Sequence, residues 1–244
     1  VSSEAFDGPL RKAIEMGIPV VAFNIPDQRP KEERIPYLTY VGGDEYLTGK
    51  VLGDYTVEQA KAGAVPMPTK VLCTVIDAAH QGLQARCNGF KDAMEAVNAS
   101  FEVLFISGDP ARARNILQAY LSSNKDTNYV YAGGFTLPWI WGVADELDMS
   151  ANVDEKGITL VAQDASPVVL AGIQRGHILA TNSQGFWLQG YLPMERLYWF
   201  HELGYTPQSD DLTGPVVIDA STVDKWEVNV RSIFGDAYDP QVTW

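Results

Sequence analysis

The residues that could do chemistry in this chain fall just after its short apolar runs: Asn24, Asp44, the stretches Asp77 to His80 and Ser107 to Asp109, Gln163-Asp164, and Asn182 to Gln184, with Phe135 and Trp187 near them. Asn, Asp, Gln and Arg end in planar groups. Each can take two adjacent hydroxyls in a fork, and a charged member strengthens those bonds. Phe135 and Trp187 add apolar faces of the kind a sugar ring's C–H face prefers. The set suits capture of a neutral, polyhydroxylated molecule.

Turnover is poorly served by the same residues. No G-x-S-x-G elbow and no G-x-x-x-x-G-K-[ST] loop occurs. Gly42-Gly43-Asp44 follows a strand but does not continue as G-x-G-x-x-G. His80, His177 and His201 are scattered, and no calcium loop is present. No catalytic residue, metal or cofactor is expected, and the chain reads as a binder rather than an enzyme. Cys73 and Cys87 are too far apart for zinc spacing. They are two buried thiols, or one disulfide if the compartment is oxidising.

These side chains need elements to hold them, and the chain alternates helix and strand. Apolar periodicity predicts helices over 6–16, 47–62, 83–97, 110–121, 137–147, 167–175, 188–203 and 221–233. Short apolar runs predict strands at 20–23, 38–41, 70–76, 103–106, 129–132, 158–162, 178–181 and 216–218. Asp44 is read as an N-cap, and the long helix after residue 188 should start or kink near Pro193. The run from Pro26 to Pro36, rich in proline and charge, is loop. Strands separated by helices give an α/β fold with mainly parallel sheets, apolar on both faces and covered on both sides. Active positions then lie at the carboxyl ends of the strands, where the residues named above fall.

The net charge is −13. Phosphate-backbone binding leans on Lys and Arg, so nucleic acid is not an expected partner. No apolar stretch reaches the roughly 18 residues of a membrane span, so direct membrane insertion is not expected either. Val1-Ser2-Ser3-Glu4 has no secretory pattern.

Several segments carry a family resemblance. Ile18-Pro-Val-Val-Ala-Phe-Asn24 and Tyr40-Val-Gly-Gly-Asp44 with Gly49 resemble the periplasmic sugar-binding proteins of ABC transporters, of the ribose- and glucose/galactose-binding type. So do His80-Gln-Gly-Leu-Gln-Ala-Arg86 with Gly89-Phe90, Gln163-Asp164-Ala-Ser-Pro167, Arg175-Gly176, and Ala180 to Gln184. Their order and spacing cover nearly the whole chain.

The resemblance implies a periplasmic binding protein type I fold. It has two Rossmann-like lobes, each a parallel sheet with helices on both faces, joined by a multi-strand hinge near Gly43, Ser183 and Gly214. It places residues 1–43 with 184–214 in an N-terminal lobe and 44–183 with 215–244 in a C-terminal lobe. A monosaccharide would lie between the lobes, hydrogen-bonded by Asn24, His80, Arg86, Asp164 and Gln184. The chain departs from the family at Gly82, at Gly133-Gly134-Phe135 and at Gly108, which leaves Phe135 or Trp187 to stack on the sugar. An ABC permease is the implied partner, a chemoreceptor a further one, and the location is periplasmic or otherwise extracytoplasmic. A bridged Cys73–Cys87 pair fits an exported protein. Val1 to Asn24 matches the end of the family's first lobe, so roughly 90 residues of strand–helix units would precede it, at about 30 residues per unit. Alternatives are the effector-binding core of a LacI-type repressor, or a polyol- or autoinducer-type binding protein on the same fold.

Overall fold

A computed structural model describes residues 4–235 of the chain. In chain order the elements are α1 (Glu4–Glu15), β1 (Ala22–Phe23), β2 (Tyr40–Gly42), α2 (Glu45–Lys61), β3 (Lys70–Val75) and α3 (Gln81–Glu95). Then come β4 (Ser100–Phe105), α4 (Pro110–Ser123), β5 (Tyr129–Ala132), α5 (Leu137–Glu146), β6 (Thr159–Val161) and α6 (Pro167–Gln174). The last are β7 (Ile178–Ser183), α7 (Phe186–Leu203), β8 (Asp211–Leu212), β9 (Val216–Asp219) and α8 (Val223–Phe234). The backbone forms two compact units. One holds residues 4–44, 79–82 and 184–215, and the other 45–78, 83–183 and 216–235.

The second unit is built on a six-stranded sheet ordered β4-β3-β5-β6-β7-β9. Its strands run parallel except for β9, which is antiparallel to β7. Side chains alternate across a strand, so one strand feeds two cores. Leu72, Val130, Ala132, Leu160 and Ile178 point to one face, under Leu117 and Leu121 of α4, Ile140 of α5, Leu170 of α6 and Val230 of α8. Val71, Cys73, Val75, Tyr129, Tyr131 and Val161 point to the other, under Leu52 of α2 and Leu83, Cys87, Phe90 and Met94 of α3. Phe90 stacks on Tyr131 with centroids 4.3 Å apart. Cys73 of β3 and Cys87 of α3 are joined in a disulfide with Cα atoms 5.9 Å apart, so of the two open readings the structure takes the bridge.

One strand departs from the expectation of two apolar, covered faces. β4 pairs only with β3 and lies at the sheet edge, where Val103 and Phe105 are exposed. Helix starts follow local chemistry. Asp109 caps α4 by accepting from the Arg112 amide at 2.8 Å, with Pro110 at the first turn, where a missing N–H costs nothing. α7 corrects the sequence reading: it begins at Phe186 and runs through Pro193 rather than starting there. Pro193 is buried within the helix.

In the first unit, β1, β2 and β8 form a parallel three-stranded sheet with α7 packed on β1 and β2. β8 was not expected, being two polar-edged residues without periodicity. The Pro26–Pro36 loop is ordered by Asp27, a buried carboxylate that accepts from the Arg29 side chain and from the Ile35 amide at 2.9 Å.

Candidate functional site

In the second unit the site begins with two glycines. A methyl on Gly49 of α2 would overlap the carbonyl oxygen of Arg86. One on Gly89 of α3 would overlap that of Tyr46 and lie 2.7 Å from the Lys50 nitrogen. The two helices therefore touch backbone to backbone, which only glycine permits. This contact brings Glu45, the first residue of α2, against Arg86 of α3.

Arg86 Nε donates to Glu45 Oε2, and Arg86 Nη1 donates to the Gly133 carbonyl oxygen at 3.1 Å. The two side chains are 7% and 3% exposed. Burial works against the Arg86 cation, but the bond to Glu45 and the fields of Glu45 and Asp164 outweigh it and raise its pKa. Arg86 follows β3, Gly133 follows β5 and Asp164 follows β6. These strands are neighbours and parallel, so all three residues sit at one end of the sheet.

Asp164 adopts φ 72°, and Asn24 in the other unit φ 64°. The left-handed region costs most L residues about 1–2 kcal/mol, and Asn and Asp visit it most readily. Asp164 does not cap the following helix. Ser166 does, its hydroxyl accepting from the Val169 amide at 3.3 Å. A buried chain supports this strand end. Tyr131 donates to Gln163 Oε1 at 3.1 Å, and Gln163 Nε2 donates to Asn182 Oδ1 at 2.7 Å and to Asp164 Oδ1 at 3.3 Å. Burial drives the Tyr131 pKa well above its ordinary value, so its phenol stays a donor.

The first unit joins two other expected residues through a third. Asn24 Nδ2 donates to Gln189 Oε1 at 3.0 Å, and Gln189 Nε2 donates to the Gln184 carbonyl oxygen at 2.8 Å. Gln189 and Gln184 are buried. Trp187 is 56% exposed and stacks on Tyr191 at 5.1 Å. Half-buried His80 immediately precedes α3 and belongs to this unit. In the second unit Phe135 is 62% exposed and meets Trp139 edge-on at 5.9 Å.

So Arg86 and Asp164 share one strand-end cluster, Asn24 and Gln184 share another, and Phe135 and Trp187 are exposed on their own aromatic neighbours. Two details differ from expectation. Arg86 lies in the second turn of α3 rather than the first. The acid beside it is Glu45, one residue beyond the strand-end run Gly42-Gly43-Asp44 and therefore overlooked. Gln189 was overlooked too, since nothing in α7 marks it except its place four residues after Gly185. Among the described residues no cluster of His, Cys, Asp and Glu could hold a metal, and no helix is long and apolar enough to cross a membrane. An apolar groove of about 420 Å³ in the first unit, lined by Phe6, Leu10, Ala22, Ile35 and Tyr37 among others, contains none of the expected residues.

Comparison with known proteins bears on the fold and the family. The chain is 27% identical over 232 residues to a xylose/arabinose-binding protein of Sulfolobus acidocaldarius, an overlap of 91% of this chain and 54% of the relative. It thus spans about half the length of that curated relative. Among solved structures, a carbohydrate transporter of Acidothermus cellulolyticus in complex with myo-inositol superposes with a TM-score of 0.79 at 22% identity, over 95% of this chain and 76% of that one. A periplasmic ribose ABC transporter protein of Conexibacter woesei gives 0.76 at 18% identity, over 97% and 74%. At these identities the two structures establish likeness of fold. Residues 1–198 match the family described as periplasmic binding protein domain, a family of solute binders rather than enzymes, and the chain belongs to that family.

Proposed function

We propose that this protein captures a monosaccharide outside the cytoplasmic membrane and delivers it to an ABC permease. The observation that carries the reading is the Arg86 cluster. A guanidinium is held and buried at the carboxyl ends of parallel strands, with Asp164 within electrostatic reach, and this is the donor–acceptor pairing that suits vicinal hydroxyls. Asn24, His80 and Gln184 are proposed as further hydrogen-bonding residues, and Phe135 or Trp187 as the stacking face. The name of the Sulfolobus relative makes pentoses the first ligands to try.

A thermal-shift screen of D-xylose, L-arabinose, D-ribose, hexoses and polyols on the purified protein tests this. At a hundredfold excess over Kd a ligand adds about 2.7 kcal/mol of stability. At about 2–4 °C per kcal/mol that is a rise of roughly 5–10 °C. Arg86→Ala or Asp164→Ala should weaken the same ligand by about 2–5 kcal/mol in calorimetry. A screen in which no sugar raises the melting temperature defeats the proposal.

A further inference from the structure

The acid that fixes Arg86 also sets the charge of the site. Around the Arg86 guanidinium stand two carboxylates, Glu45 in direct ion pair and Asp164 at the end of β6, two strands from β3. Both reach Arg86 and Tyr131 electrostatically. Glu45 and Arg86 are almost fully buried, so solvent screens them little. The backbone contact of α2 with α3 through Gly49 and Gly89 keeps Glu45 from swinging away.

We propose that Glu45 is a specificity-determining residue: it holds the Arg86 guanidinium in place and, with Asp164, makes the cluster net negative, so that it accepts neutral sugars and rejects their carboxylated counterparts. Without Glu45 one cation would face one carboxylate, and the neutral cluster would no longer repel a uronate. With it the balance is −1, and a uronate must bring a further negative charge into a poorly screened place. The inference rests on the sugar-binding reading and adds to it a ligand charge class and a residue that enforces it.

The test compares D-xylose, D-glucose and D-glucuronate by calorimetry on the wild type and on Glu45→Gln. Glucose is the size control, and glucuronate carries the same ring with a carboxylate. Glu45→Gln keeps an acceptor for Arg86 Nε and removes only the charge. It should weaken the neutral sugars, through loss of the ion pair that orients Arg86. It should also narrow the ratio of glucuronate to glucose dissociation constants by about 10- to 100-fold, as one charge several Å away at an effective dielectric near 20 implies. A purely structural role would weaken all three ligands alike. Glu45→Asp, which retains the charge, should preserve the ratio. Should Glu45→Gln fail to fold, Asp164→Asn removes the second carboxylate at a left-handed position that Asn tolerates, and the same narrowing is expected. If the wild type binds glucose or xylose and the ratio is unchanged in these variants, this inference falls and the sugar-binding reading stands. If the wild type binds no sugar at all, the reading itself falls, and this inference with it.

Discussion

Gly89→Ala is a severe test of how α2 and α3 are held together. In a helix interior alanine is favoured over glycine by about 0.8–1.0 kcal/mol, so propensity alone predicts a gain. The structure predicts a loss. The new methyl would overlap the Tyr46 carbonyl oxygen and lie 2.7 Å from the Lys50 nitrogen. Both are backbone atoms inside α2, so no side chain can rotate away, and the helices must separate. Overpacking of this kind costs about 1–3 kcal/mol, with rigid neighbours at the upper end. The net is a destabilisation of about 1–2 kcal/mol, or a fall in melting temperature of roughly 2–8 °C. Gly190→Ala in α7 is the control, because nothing lies within 4 Å of a methyl there. It should gain up to about 1 kcal/mol and melt higher. Calorimetry or circular dichroism on the two variants gives the comparison. If Gly89→Ala melts at or above the wild type, the helices are not in backbone contact and the account of how Glu45 meets Arg86 is wrong.

Two further outcomes are expected. The Cys73–Cys87 bridge closes a loop of about 15 residues and should contribute about 3 kcal/mol, so the urea midpoint must fall when unfolding is measured in reductant; equal midpoints would refute the bridge. Burial pushes the Asp219 carboxyl up, but bonds from Ser221, Tyr55 and Thr222 outweigh it and hold its pKa below the ordinary 3.8. Its contribution is present above the unfolded value and lost as pH falls through the lower folded one, so Asp219→Asn should lower stability at neutral pH and flatten the loss below about pH 4.

Much of the fold is legible because local signals agree. Tyr129–Ala132 is an apolar run, and Pro110 suits the first turn of a helix, so both stand where the pattern puts them. Of the predicted helical stripe Leu83, Cys87, Phe90, Met94 and Val97, the first four are buried on α3, and Val97 lies half-buried beyond its end. Failures occur where tertiary context overrides the local rule. Pro193 argues for a helix start or kink, and the start falls at Phe186 instead, with Pro193 inside α7 and buried. Ser100 to Glu102 extend β4 ahead of the predicted run 103–106, because pairing with β3 supplies the backbone bonds. β8 is a strand only because β2 lies beside it.

The site shows the same division. Strand-end position and side-chain type single out Asp164, because in a parallel sheet those ends converge whatever the details of packing, whereas Arg86 is reached through the family resemblance of the segment His80 to Arg86. What holds Arg86 is another matter. The acidic residue nearest in sequence is Asp92, and the residue that pairs with Arg86 is Glu45, 41 positions away. That partnership follows from the crossing of two helices, and the crossing follows from two glycines whose lack of a side chain is their whole contribution. Read singly, Gly49 and Gly89 are poor helix formers that weaken α2 and α3. Only their coincidence at one point turns the weakness into a contact close enough to bury an ion pair. A buried pair so placed is of doubtful value for stability, since desolvation cancels much of the attraction. Its rigid burial therefore accords better with the proposed role of a fixed guanidinium in holding a ligand than with a contribution to folding.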